Sequence, residues 1–234
     1  MLKVCLNGRL ARDAHAAVPI TPAEVAADAV RSEAAGAQAA HVHPRDVDGR
    51  ESLHPAVVAD TLDALRTAAP HLPVGVSTGE WIEPDPDERV HAIRGWHALP
   101  DFASVNAHEP GAERVAQALH DNGIGVEAGL WTLEAVDAFT AWPVPCLRVL
   151  LELTDADPDE AVAHATRLLA ALPPLRPPVL LHGEGPAAWA VLREAVRQGL
   201  DTRIGLEDTR TTPDGAVADG NAKLVAAAIA LGAH

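Results

Sequence analysis

The chain has 234 residues, 48% of them hydrophobic and 22% charged, a balance that suits a soluble folded domain and excludes a disordered one. A formal net charge of −15 repels nucleic acid and anionic membranes at long range, so neither is expected as a partner. The opening stretch MLKVCLNGRLARD is apolar for only a few residues, too few for a signal-peptide core or a membrane span, and a cytoplasmic location is expected.

Along the chain, short apolar runs alternate with longer amphipathic stretches at a spacing of roughly thirty residues or less, the size of a βα unit. The first run, Leu2–Leu6, contains Cys5 and leads into Asn7-Gly8-Arg9. Thr21-Pro22-Ala23-Glu24 then opens a helix, with a capping hydroxyl, a proline at the first helical position and Glu three residues after the cap. Gly36 marks the turn into a second run, Ala37–His43, which continues into Pro44-Arg45-Asp46. Pro73–Ser77 is the third run, followed by Thr78-Gly79 and a second helix start at Asp85-Pro86-Asp87-Glu88. Phe102–Asn106 runs into Ala107-His108-Glu109, and after Gly123 comes Gly125–Gly129 with Glu127 inside it. Leu147–Leu153 carries Glu152, a third helix start stands at Asp157-Pro158-Asp159-Glu160, and Pro173–Pro178 reads as a helix-to-strand connection. Pro178–His182 leads into Gly183-Glu184-Gly185; after Gly199, Arg203–Glu207 is the eighth run and Asn221–Leu231 the last helix. Eight strands alternating with helices, with no linker or shift in composition between them, predict an α/β chain folded as one closed (β/α)₈ TIM barrel over residues 1–234. Cys5 and Cys146, each in an apolar run, are expected to be buried thiols without a chemical role.

Barrels of this kind build their sites at the carboxyl ends of the strands, where this sequence concentrates polar residues. His41 and His43 are two apart on a strand, so both imidazoles leave the same face, as two ligands of one metal must. Strands two and eight are both even-numbered and can feed one layer of the barrel interior, which brings in Glu207. Two His and one carboxylate with a fourth position open is a common ligand set for catalytic zinc. Ser77, Thr78 and Asn106 offer hydroxyl, amide and backbone N–H groups for a carboxylate or carbonyl oxygen, or else ordinary turn chemistry. Arg9, Arg45, Arg203 and Arg210 place positive charge at the same rim or else serve as solvated surface residues, and His15, His108 and His182 read as ordinary loop or strand-end histidines, with extra ligands or proton carriers as the alternative.

His41-Val42-His43-Pro44-Arg45-Asp46, Ser77-Thr78-Gly79, Gly125-Val126-Glu127 and Arg203-Ile204-Gly205-Leu206-Glu207-Asp208-Thr209, in this order, carry a further signal. Through them the sequence resembles the β-keto acid cleavage enzymes over essentially its whole length. The resemblance implies a metal-dependent barrel, commonly with zinc, that joins a β-keto acid to acetyl-CoA and releases acetoacetate and a new acyl-CoA; it also implies a homo-oligomer. By position, His41, His43 and Glu207 are similar to the metal ligands, and Arg203 and Asp208 to the catalytic pair. Ser77 is similar to a contact for the substrate carboxylate, with Thr78 and Arg9 in the same binding group. Asn106 and Glu127 are similar to parts of the pocket wall, with Glu127 counted among the catalytic residues. The family's aminohexanoate-cleaving member holds its substrate's ammonium with a glutamate in the loop after strand one, whereas here that loop carries Arg9 and Arg12 and no acid. A substrate with a neutral or anionic far end is expected on that ground. The alternative reading is a metal-dependent barrel hydrolase acting on a small carboxylated substrate, in which the metal activates water.

Overall fold

The structure, a computed structural model, describes residues 1–154, 157–174 and 177–234. Eight strands alternate with eight α-helices: β1 (Leu2–Cys5), α1 (Pro22–Ala34), β2 (Ala39–Val42), α2 (Pro55–Ala68), β3 (Val74–Ser77), α3 (Pro86–Arg94), β4 (Phe102–Asn106), α4 (Ala112–Asp121), β5 (Gly125–Leu130), α5 (Leu133–Phe139), β6 (Arg148–Leu153), α6 (Pro158–Ala171), β7 (Val179–Gly183), α7 (Ala188–Gln198), β8 (Thr202–Ile204) and α8 (Asn221–Ala230). The strands are all parallel, in the order β7-β6-β5-β4-β3-β2-β1-β8. The seam between β7 and β8 is closed through Asp201, whose carbonyl accepts from Leu181 N at 2.9 Å and whose N–H donates to Val179 O at 3.2 Å. This is the TIM barrel the alternation predicted. No helix among the described residues is long and apolar enough to cross a membrane.

The helix starts follow their side chains. Thr21 accepts from Glu24 N, and Glu24 accepts in return from Thr21 N, a reciprocal cap in front of Pro22. At α3 and α6 the aspartate alone caps, Asp85 from Asp87 N and Asp157 from Asp159 N and Glu160 N. Gly36, Gly123 and Gly199 all have positive φ at the helix ends, where L side chains are strained. Of the expected connection 173–178, residues 175 and 176 lie outside the described residues.

Alternation along the strands makes two environments. Val4, Val42, Val74, Val76, Val105 and Val126 point outward into the apolar layer beneath the helices, against residues such as Val25, Leu62, Val115 and Leu224. The inward positions carry polar groups, among them Lys3, His41, Glu127, Glu152, His182 and Arg203, all buried. The apolar layer stabilises the barrel and leaves its interior open to polar chemistry.

Several expected strands are a residue or more longer in the sequence reading than in the fold, and two of these differences bear on the site. Regular pairing in the second ends at Val42, with His43 just beyond it. The eighth stops at Ile204 instead of Glu207, because Gly205 lies against the backbone of β1: a Cβ there would fall 1.9 Å from Cys5 O. Gly205 O then accepts from both Asp208 N and Thr209 N, each at 2.9 Å, and the chain turns helically. Glu207 and Asp208 thereby both face inward, which adjacent residues of a regular strand cannot do.

Candidate active site

The site begins with Asn7, buried at the end of β1. Its Oδ1 accepts from His43 N at 2.9 Å and its Nδ2 donates to His43 O at 3.0 Å, which fixes the chain as it leaves β2. His41 and His43 turn their Nε2 atoms toward each other at 3.1 Å, with ring planes 82° apart. Glu207 reaches across from the turn after β8, and its Oε2 stands 3.6 Å from His43 Nε2. Gly8 makes room for it, since a Cβ there would sit 2.5 Å from Glu207 Cγ in a backbone with φ of +52°. One donor atom from each of the three side chains lies within 4.8 Å of the others. Glu207 Oε2 and His41 Nδ1 are buried without a hydrogen-bond partner. Two imidazole nitrogens facing each other beside an unsatisfied carboxylate oxygen are the arrangement a divalent cation completes, so these residues fit a metal.

His43 Nδ1 bonds Glu51 Oε1 at 2.5 Å, and the same oxygen accepts from Trp81 Nε1 at 3.1 Å. The Trp81 ring stacks on His43 at 6.2 Å and 20°. Sequence reading missed both partners. The available signal was Asp46-Val47-Asp48-Gly49: Asp46 accepts from Asp48 N and Arg50 N, and this turn folds the loop back so that Arg45 and Glu51 pair. Burial works against a charged His43, yet Glu207 and Glu51 outweigh it and hold its pKa up at about 9. Burial carries His41 well below its usual value.

Arg203 rises from β8 into the same space. Its Nε and Nη2 donate to Asp208 Oδ1 at 3.0 and 2.7 Å, and Nη2 also to Glu207 Oε1 at 3.0 Å. Asp208 Oδ2 has no partner. Burial pushes the Asp208 carboxyl up to about 7 against the pull of Arg203. Burial acts on Glu207 in the same sense, but Arg203 and the two histidines prevail and hold it well below the usual carboxylate range.

His41, His43, Arg203 and Glu207 edge a cavity of about 320 Å³ at the carboxyl end of the barrel, of a size for a small-molecule acid, while Asp208, bound to Arg203, lies outside that lining. Of the residues expected to bind substrate, Arg9, Ser77 and Asn106 line it, together with Ser104, Trp81, Trp131, Glu152 and Glu184. A wider groove of about 610 Å³ runs behind Glu51, between the start of α2 and α3, away from the two histidines.

Besides Asp208, two expected site residues stand outside the lining. Thr78 is outside the cavity lining, its hydroxyl donating to Ser104 O at 2.7 Å. Glu127 is fully buried below the cavity, bound by Lys3 Nζ at 2.6 Å and faced by Arg148 Nε at 3.4 Å. It lies four residues before Trp131, which does reach the lining, and so sits deeper in the barrel. Of the rim arginines, Arg45 is tied to Gly8 O and Leu10 O, both at 2.7 Å, and Arg210 to Ala14 O at 3.4 Å. His15 bonds Ala218 O, and His108 packs on the Trp131 ring. Cys5 and Cys146 are free thiols, but only Cys5 is buried as expected, Cys146 being half-buried; Cys5 comes close to Glu207 and Asp208, where burial raises its pKa and keeps it protonated.

The fold and site define a TIM barrel with a two-histidine, one-carboxylate centre and a buried Arg–Asp pair at its carboxyl mouth. The profile of the beta-keto acid cleavage enzymes matches residues 1–142 and 145–234, and the chain belongs to that family. Among solved structures it is similar to ObcA without ligand, with TM-score 0.71 and 18% identity over 92% of this chain and 62% of that one. ObcA in a binary complex with oxaloacetate gives 0.71 and 19% over 92% and 64%, and its ternary complex with a C4-CoA adduct and oxalate gives 0.68 and 18% over 89% and 62%. The chain thus spans less than two thirds of the ObcA chains. The 3-dehydroquinate dehydratase of Geobacillus kaustophilus is similar at TM-score 0.66 and 12% identity, over 98% of this chain and 90% of that one. At these identities the likeness is one of fold.

Proposed function

We propose that the chain is an acyltransferase that joins a β-keto acid to acetyl-CoA and cleaves the product to acetoacetate and a new acyl-CoA. Family membership supports the substrate class, and ObcA complexes with a keto acid and a CoA adduct agree with it. The observation that carries the reading is the convergence of His41, His43, Glu207 and Arg203 on one small cavity, with Asp208 bound to Arg203 beside it.

His41, His43 and Glu207 hold a divalent metal, zinc by the character of the donors, with Glu51 fixing the His43 tautomer so that Nε2 is free to ligate. When bound, the metal supplies a Lewis acid that draws electrons from a keto oxygen and acidifies the neighbouring CH₂. Ser77 and Asn106 present a hydroxyl and an amide to the acid's carboxylate, and Glu109 orients Asn106 by accepting from its Nδ2 at 2.8 Å. Asp208 Oδ2 is the oxygen open to a proton, since Oδ1 is committed to Arg203, and a carboxyl near pH 7 suits a base that must also release what it takes. Arg203, held against rotation by Asp208, meets negative charge that develops on oxygen as the carbon–carbon bond forms and breaks.

The test is incubation of zinc-loaded protein with acetyl-CoA and a panel of β-keto acids, with the masses of the CoA esters followed. New acyl-CoA together with acetoacetate supports the reading. Consumption of the acid with no need for acetyl-CoA favours a hydrolase instead.

A further inference from the structure

His41, His43 and Glu207 reach the cavity from two elements on opposite sides of β1: the histidines from the end of β2, the glutamate from the turn after β8. On the β2 side, hydrogen bonding continues right up to the site. Leu6 N donates to His41 O at 3.0 Å, and the Asn7 amide then holds both backbone groups of His43. On the β8 side it does not. Regular pairing of β1 with β8 ends at Val4 opposite Ile204, because Gly205 begins the turn. The backbone bond that follows, Glu207 N to Cys5 O, is long at 3.4 Å.

A side chain closes the gap. Asn221, the first residue of α8 and fully buried, accepts from Leu206 N at 2.7 Å through Oδ1 and donates to Leu6 O at 2.8 Å through Nδ2. The backbone groups it joins belong to the immediate neighbours of Glu207 and of Asn7. A carboxamide carries the donor and acceptor of a peptide unit, so it continues the ladder where the backbone has turned away. Nδ2 also donates to Asp28 Oδ2 on α1 at 2.5 Å, and Asp28 is itself paired with Arg31 at 2.9 Å. A carboxylate only accepts, which fixes which end of the Asn221 amide is the donor. Asn221 is thereby committed to the chain on both sides of the site and acts on the ligands through where it holds that chain.

We propose that Asn221 is a positioning residue of the metal centre, one that sets the separation of the Glu207 carboxylate from the two imidazoles. The proposal rests on the reading of His41, His43 and Glu207 as ligands and holds whatever reaction the centre performs.

The experiment measures the zinc affinity of the full chain by chelator competition. Asn221→Ala should weaken zinc binding by about tenfold or more. In a Glu207→Gln background, where zinc is left to the imidazoles, the same substitution should change affinity by less than about twofold, because the spacing it sets no longer matters. Leu224→Ala is the control for a merely structural role: it removes core packing from the same helix and none of these hydrogen bonds. It should lower stability and leave zinc affinity within about twofold of wild type. Should Asn221→Ala not fold, Asn221→Asp combined with Asp28→Asn is read instead. That exchange keeps the acceptor for Leu206 N and the bond between positions 28 and 221, loses the donor to Leu6 O, and should weaken zinc binding by at least about threefold. Wild-type affinity in the variant overturns the proposal, as does an equal loss in the Glu207→Gln background or from Leu224→Ala; each leaves the ligand reading intact. A wild-type chain that binds no zinc sinks that reading and the proposal with it.

Discussion

Glu127 and Glu207 both point into the barrel, both are inaccessible or nearly so, and each lies beside an arginine, but only Glu207 opens on a cavity. Around Glu127 the charges close on themselves: Lys3 Nζ is 2.6 Å away, Arg148 Nε is 3.4 Å away, and Lys3 also lies 5.2 Å over the Phe102 ring. Glu207 gives Oε1 to Arg203, while Oε2 faces an imidazole nitrogen and a cavity with no donor. On the proposed function, the lower cluster serves structure and the upper one chemistry. Glu127 Oε1 also lacks a hydrogen bond, so the difference lies in the open space beside Glu207, which lines the cavity while Glu127 does not.

The largest effect that separates the two regions is on folding. Lys3→Met strands a buried carboxylate and should cost about 3–5 kcal/mol in denaturant unfolding, without lowering the metal content of the folded fraction. A loss of metal with unchanged stability would break the comparison. In the upper region the balance reverses: His43→Ala should weaken metal binding by more than about 10²-fold in chelator competition and change the stability of the metal-free chain far less than Lys3→Met does.

Glu51→Gln is a finer probe, because it leaves all three proposed ligands in place and weakens only the group that orients His43. Metal affinity should fall by about tenfold, with stoichiometry retained at saturating metal. The smallest effect is expected outside both regions, at the cap of α1. Glu24 is lowered from an ordinary value of 4.5 to about 2, first by Arg12 and then by the Thr21 backbone N–H. Its contribution is therefore present above pH 4.5 and lost as the pH falls toward 2. Glu24→Gln should melt below wild type at pH 6 and level with it near pH 2, and a gap that stays constant with pH would count against the cap.

Much of the barrel was legible because each element carries its own local signal. Apolar runs, three proline-led helix starts and positive-φ glycines need no knowledge of distant partners. The end of β8 was less so, since the turn at Gly205 is imposed by the backbone of Cys5 on the other side of the chain's seam. His41 and His43 could be placed on one face from spacing alone. Glu127 could not be told from a site carboxylate, because what defines it is Lys3, 124 residues away. Glu51 and Trp81 were invisible for the same reason, being brought to His43 by a folded-back loop. Glu152 and Glu184 were visible as polar strand ends, but only the assembled wall gives them each other.

The central claim is that the upper cluster performs metal-dependent acyl transfer with Arg203 and Asp208 at work beside the metal. Its most direct test is Asp208→Asn, which keeps the size of the side chain and removes the charge, with metal stoichiometry and acetyl-CoA-dependent acetoacetate formation measured on the same preparation. The expected result is one metal per chain as in the wild type and turnover lower by roughly 10²-fold or more. Turnover close to wild type with the metal in place would contradict the claim.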